Sequence, residues 1–260
     1  MREYVALARI GFREATAYRF DAVMSLVTSL LYLVMVYAIW NSIAAAGQLA
    51  GGISTVLTYI VVGQIVSNSV FVSVEEMIGE RVREGTIVNE LKRPITLRAH
   101  AYFYQLGQAL FRFLSRGLPV GVIAWLAIGL PMPSPVNVAL FGISLFLGFN
   151  LVFALSFMTS MAVFWTEVHW SIRMMRNIVQ NLFSGVLFPL YLLPEHLKTV
   201  FYALPFHAMV DGPISIFTME ATGFEALRVL GVQLVWMAVL LLLGEAVWRY
   251  ARKHLTVQGG

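Results

Sequence analysis

The sequence contains no cysteine. Disulfides, thiol nucleophiles and cysteine-based metal sites are therefore excluded. Charge is scarce as well: Asp, Glu, Lys and Arg make up 12% of the 260 residues, while hydrophobic residues make up 59%. A soluble domain averages about 25% charged residues. So few polar side chains cannot cover a folded core of this size, and the surplus apolar surface needs lipid as its solvent. Catalytic and nucleotide-binding motifs are missing too: there is no P-loop, no HExxH and no GxSxG. The five histidines, His100, His169, His196, His207 and His254, share no ligand spacing. Packing at the interface accounts for His196 and His207 better than metal binding does, and no metal site is expected. The first twenty residues are charged at intervals and hold no apolar run with a cleavage site, so no secretory signal is read there.

What is present is a series of long apolar runs. A bilayer core of about 30 Å needs about 20 apolar residues per helix. Six runs meet or approach that length: Ala22 to Ala44, Ile53 to Val74, Ala109 to Leu130, Val136 to Phe164, Met174 to Leu193 and Val229 to Trp248. Arg112 and Arg116, at the start of the third, are expected to snorkel to the near interface. The intervening segments alternate in basic content. Arg2, Arg9, Arg13 and Arg19 precede the first run; Arg81, Arg83, Lys92, Arg93 and Arg98 lie between the second and third; Arg173 follows the fourth; Arg249, Arg252 and Lys253 follow the sixth. The other segments hold almost no basic residue. This is the positive-inside pattern for six spans with both termini in the cytoplasm. The net charge of +4 therefore reads as a topology signal, not as a nucleic-acid surface. The expected fold is an all-α integral membrane protein, a single domain over residues 1–260.

Three segments are neither span nor simple loop. Residues 1–21 pattern as a basic amphipathic helix, which lies in the headgroup plane; the alternative is a solvated leader. Residues 75–108 form the polar centre of the chain, with charges alternating in sign, Gly79 and Gly85 permitting bends, and Pro94 ending any helix before it. That segment is either a short helix offered to a partner or a charged solvated loop. Residues 189–225 are apolar yet interrupted by Pro189, Pro194, Pro205 and Pro213, so their pieces are too short to span. A re-entrant or interfacial hairpin is expected there, with its free backbone groups meeting protein or water. Inside the spans the polar residues are mainly amides. Asn177, Gln180 and Asn181 form one stripe, either bonding to a neighbouring helix or lining a substrate path. Span centres are read as free of ionisable residues. A chain without buried charge has no evident coupling to an ion gradient, and its energy source is expected in another subunit.

The spans, the loop bearing Glu84, Gly85, Thr86, Leu91, Arg93 and Pro94, and the late segment with Gly185, Pro189, Pro194, Pro205 and Asp211 together resemble the membrane permease subunit of ABC-type-2 exporters. This is the class of drug, polysaccharide and lipid-linked exporters. The resemblance covers nearly the whole chain. It implies a non-catalytic multi-pass protein of the bacterial inner membrane, paired with a second permease, identical or paralogous. Two ABC ATPase subunits would bind ATP and Mg; this chain would hold no cofactor. The first cytoplasmic loop would supply a coupling helix, with Glu80, Arg83, Glu84, Gly85, Thr86, Leu91, Lys92, Arg93 and Pro94 at the ATPase contact. Residues 1–21 would be the family's interface helix. Phe201 and Phe206, with Pro189 and the Asn177, Gln180 and Asn181 stripe, are the residues expected along a substrate path or gate. Two other readings are a self-contained secondary transporter or channel, which would need intramembrane charges or repeated broken helices, and a membrane-embedded enzyme using Glu195, His196, His207 and Asp211. Neither is supported by a repeat or a catalytic order in the sequence.

Overall fold

The computed structural model describes residues 2–47, 53–91, 94–166 and 168–253. Lys92 and Arg93 lie outside the described residues, as does the side chain of Leu91. The described chain is helical, with no strand. In order, the helices are α1 (Arg2–Ala17), α2 (Arg19–Ala45), α3 (Ile53–Val70), α4 (Val74–Arg83), α5 (Ile87–Leu91), α6 (Leu97–Arg112), α7 (Leu118–Ile128), α8 (Pro135–Ser160), α9 (Val163–Thr166), α10 (His169–Phe183), α11 (Glu195–Tyr202), α12 (Phe206–Phe217) and α13 (Phe224–Lys253). A wide turn, Phe113–Gly117, joins α6 to α7, and a tight one, Leu190–Leu192, precedes α11.

Five stretches are long and apolar enough to cross a bilayer: Phe20–Ala45, Ile53–Arg83, Leu97–Ile128, Pro135–Thr166 and Phe224–Ala251. The sixth is not one straight helix. Where the sequence suggests a span over Met174–Leu193, α10 has 15 residues. It rises about 22 Å, short of the hydrocarbon core. Its polar content accounts for this: Arg173, Arg176, Asn177, Gln180 and Asn181 all fall on α10, and Gly185, at φ +85°, ends it. α11 and α12 follow as a pair bent by 108°, which makes a sixth span if counted as one and a re-entrant hairpin otherwise.

α3 and α8 form the centre. In the most apolar stretch of the second span 72% of residues are buried, against 11% in the first, so α3 is interior and α2 is peripheral. Val56, Tyr59, Val62, Val66 and Val70 on α3 and Leu151, Val152, Phe153 and Phe157 on α8 supply the core, with α12 wedged against both. Polar side chains inside this apolar volume are matched to specific acceptors, as burial requires. Gln233 on α13 donates to the carbonyls of Ser144 (3.1 Å) and Ala208 (2.8 Å) and accepts from the Ser144 hydroxyl (2.9 Å). That one amide staples α8, α12 and α13. At the start of α8, Asn137 donates to Ile216 O at 2.8 Å and Ala221 O at 3.3 Å, holding the end of α12.

The segment over 75–108, for which the sequence allows either a short helix or a solvated loop, is mostly helix. Its first part is α4, and its last part, α6, is continuous with the third span as far as Ile128. Thr96 caps α6, its hydroxyl accepting from Ala99 N at 3.2 Å. α1 is a separate helix and packs along α6 in the same direction, with Tyr4 stacked on Phe103 (4.7 Å between ring centroids) and Phe12 edge-on to Phe111 (5.6 Å). Between those contacts the backbones nearly touch at Gly11 and Gly107. A Cβ on Gly107 would lie 1.9 Å from Ala8 O.

Candidate functional site

The chain breaks its second span at Phe71–Ser73, between α3 and α4. A break within a bundle frees backbone groups that need partners. Two arginines from different helices supply them. Arg112 Nη2 donates to Phe71 O at 2.7 Å, and Arg176 Nη2 donates to Val72 O at 2.8 Å. Below the break, Val74 N donates to Ser156 Oγ at 3.0 Å. Arg112, expected to snorkel to the interface, is partly buried and donates to a carbonyl in the break between α3 and α4.

Glu75 opens α4 and is 0% exposed; the Arg176 side chain is 3% exposed. Arg176 Nε donates to Glu75 Oε1 at 2.5 Å, and Arg176 Nη1 to Gln180 Oε1 at 2.7 Å. The carboxylate also accepts from Ser156 Oγ and Thr159 Oγ1, both at 2.6 Å. Every charge in this pair is met, so the network joins α4, α8 and α10 as one unit. The reading that the bundle interior lacks ionisable groups is overturned by this pair. The available signal was Arg176, an arginine just inside a run read as a span, which demands a partner. The sequence did not show that the partner is Glu75. A second ion pair, between Arg173 and Glu76, reinforces the α10–α4 contact at the protein surface.

From this anchor α4 runs out to an exposed turn. Glu84 N bonds Glu80 O at 2.9 Å, Gly85 N bonds Val82 O at 3.1 Å, and Gly85 takes φ +69°, the left-handed conformation that ends the helix. Glu80, Arg83, Glu84, Gly85 and Thr86 are exposed, as is Pro94. Ile87 is buried in the core and Val88 half-buried against it, so those two side chains face inward and not toward a partner. The turn therefore projects while its base is held from both sides.

The proposed path residues fall in two places. Gln180 is buried within the Arg176 network, and Asn177 and Asn181 are half-buried on the same helix. Pro189 is buried at the turn before α11. Phe201 is buried with its ring against Phe183 (4.8 Å) and Phe188 (6.3 Å), and Phe206 stacks on Phe183 at 6.0 Å. The two aromatics thus pack the hairpin onto the end of α10. Phe201→Ala is expected to cost about 3–5 kcal/mol of stability, and Phe206→Ala less, since Phe206 is only half-buried. Unfolding titrations of both variants check this order, and a Phe201→Ala protein as stable as the parent would refute the packing role.

Deeper in the hairpin Asp211 is buried and accepts from Tyr59 Oη (2.7 Å) and Tyr202 Oη (3.2 Å). Gly185 lies beside it: a methyl there would sit 3.5 Å from Asp211 Cβ. The Gly185 and Asp211 of the late sequence segment therefore meet at one point, against α3. His207 Nδ1 bonds Leu204 O at 2.7 Å, while His196 is exposed on α11. Among the described residues no group of three or more His, Asp or Glu side chains could hold a metal ion.

These features define a polytopic helical membrane protein with a broken second span, an exposed turn following it and a bent helix pair before the last span. Residues 23–259 match the family model described as ABC-2 family transporter protein, and the chain belongs to that family. It is the membrane component of an ABC-2 type transporter, a class that generally pairs with ABC ATPases. Among curated proteins none matches the sequence.

Proposed function

We propose that this chain is the non-catalytic permease of an ATP-driven exporter, that two such permeases pair in the membrane, and that two ATPase subunits engage the exposed turn at Glu80, Arg83, Glu84, Gly85 and Thr86. The cargo is an amphipathic, drug-like or lipid-like molecule. The basic segments, and with them both termini, face the cytoplasm and the ATPases.

The observation that carries this reading is the mechanical continuity between the turn and the buried Glu75–Arg176 network. A coupling element must move as a rigid body. α4 is short, and Glu75 in its first turn is bound to α8 and α10. A push on Glu84 is therefore delivered to two bundle helices. One of them, α10, exposes Met174, Met175, Ile178 and Leu182, an apolar face suited to a second permease. The buried ion pair is fully hydrogen-bonded, which suits a structural joint better than a proton relay.

Native mass spectrometry of the complex extracted from its own membrane is expected to show two permeases with two ATPases. Glu84→Lys reverses a charge on the exposed turn, and Gly85→Val forces a β-branched residue into the left-handed region at roughly 1–2 kcal/mol. Both variants should insert normally yet lose substrate-stimulated ATP hydrolysis and transport. Parental transport rates in both would remove this turn from the coupling path.

A further inference from the structure

Where α1, α4 and α6 meet there is a cavity of about 550 Å³. Glu14 of α1, Glu76 and Glu80 of α4, Glu84 of the turn, and Tyr104 and Gln105 of α6 line it. Some of these groups are engaged: Glu76 with Arg173, and Glu14 with the Tyr104 hydroxyl. Arg81 also borders the cavity and contacts His100, Nη1 to Nδ1, at 3.3 Å. Four carboxylates thus line this space against one arginine, an excess of acidic over basic side chains. Gln105 adds a second and independent feature. It is 2% exposed, yet its Oε1 has no hydrogen-bond partner. A buried acceptor without a donor is costly unless something supplies the donor. Ser73, His100 and Gln108 complete the polar lining, and Leu7, Ile10 and Met77 form an apolar edge, with Ile10 about half exposed.

We propose that this cavity binds a primary ammonium group carried on an apolar tail. The carboxylates supply the charge, Gln105 Oε1 accepts one N–H, and the tail leaves past Ile10 along the amphipathic helix, at the level where such helices lie in the headgroup region. A primary ammonium is favoured over a quaternary one because the orphaned acceptor calls for an N–H donor, not for charge alone. Taking this ligand as cargo rests on the export function proposed above; binding itself needs no ATPase.

Dodecylamine is the probe, titrated against the purified full chain in phosphatidylcholine nanodiscs, with dodecyltrimethylammonium as a control of the same charge and tail but no N–H. Saturable dodecylamine binding is expected, at least tenfold tighter than the control. Glu14→Gln and Gln105→Met should each weaken it several-fold, while Gln105→Met raises the unfolding midpoint of the ligand-free chain because the orphaned acceptor is gone. That rise also shows that the variant folds. Repeating the titration with phosphatidylethanolamine in the disc separates two sources of the same chemistry. Competition assigns the site to the lipid headgroup; its absence assigns it to a single-tailed amine. No saturable binding, equal binding of the quaternary control, or unchanged binding in both variants would overturn the site. None of those results bears on ATPase docking, and a failure to recover an ATPase would leave ammonium binding untouched.

Discussion

Arg176→Met is expected to destabilise the purified chain by about 3–5 kcal/mol, because breaking a buried ion pair leaves its partner uncompensated. Glu75 would keep its place inside the bundle, with Ser156 and Thr159 still donating to it, but without its cation. Val72 O would lose its donor at the helix break at the same time. Glu75→Leu alone should cost a similar amount, since Arg176 would then be the stranded charge. The double variant Glu75→Leu, Arg176→Met should be less damaging than the sum of the two, because apolar replacement of a whole buried pair is often nearly neutral. An SDS-titrated unfolding curve for the four proteins closes a double-mutant cycle and gives the coupling directly. Single variants within about 1 kcal/mol of the parent, below the range for a broken buried pair, would mean that the network is not a structural joint.

Gly107→Val should release α1 from α6. A Cβ at that position meets a backbone carbonyl, Ala8 O, and not the tip of a flexible side chain. A carbonyl held in a helix cannot turn aside, so the two helices must separate. Overpacking of this kind costs about 1–3 kcal/mol or more. Because each 1.4 kcal/mol is about a factor of ten in an equilibrium, the docked-to-undocked ratio should fall by roughly that factor or beyond. The absence of cysteine provides the assay. Tyr4→Cys and Phe103→Cys place thiols where two rings now stack, and a bis-maleimide should join them in the parent background but not with Gly107→Val added. Undiminished cross-linking in the triple variant would show that the close approach is dispensable.

Much of the architecture could be read along the chain. The apolar stretches at Ala22 to Ala44 and Val136 to Phe164 coincide closely with Phe20–Ala45 and Pro135–Thr166, because hydrophobic length is a local property. The separate amphipathic helix at the N-terminus and the repeatedly interrupted late segment were also visible, through charge spacing and proline. The limits appeared where a helix is polar for a tertiary reason. α10 is short and rich in amides and arginines because it carries half of a buried network, and a hydropathy window records only that it is less apolar. Residues up to Gln108 read as polar connecting chain for a related reason: α1 packs on the Phe103, Gly107 and Phe111 side of α6, and the sequence of α6 alone does not say so.

The sequence by itself determined that this is a membrane protein, which runs are apolar enough to span, that alternate segments are basic, and which family it belongs to. Each of these rests on composition or on order along the chain. Only the tertiary structure decided which charges meet. Glu75 and Arg176 are 101 residues apart, and Tyr59 and Asp211 are 152 apart. A lone buried charge announces that it needs a partner, since its desolvation must be offset. It carries no information about which residue answers, because that depends on the packing of helices that share no local pattern.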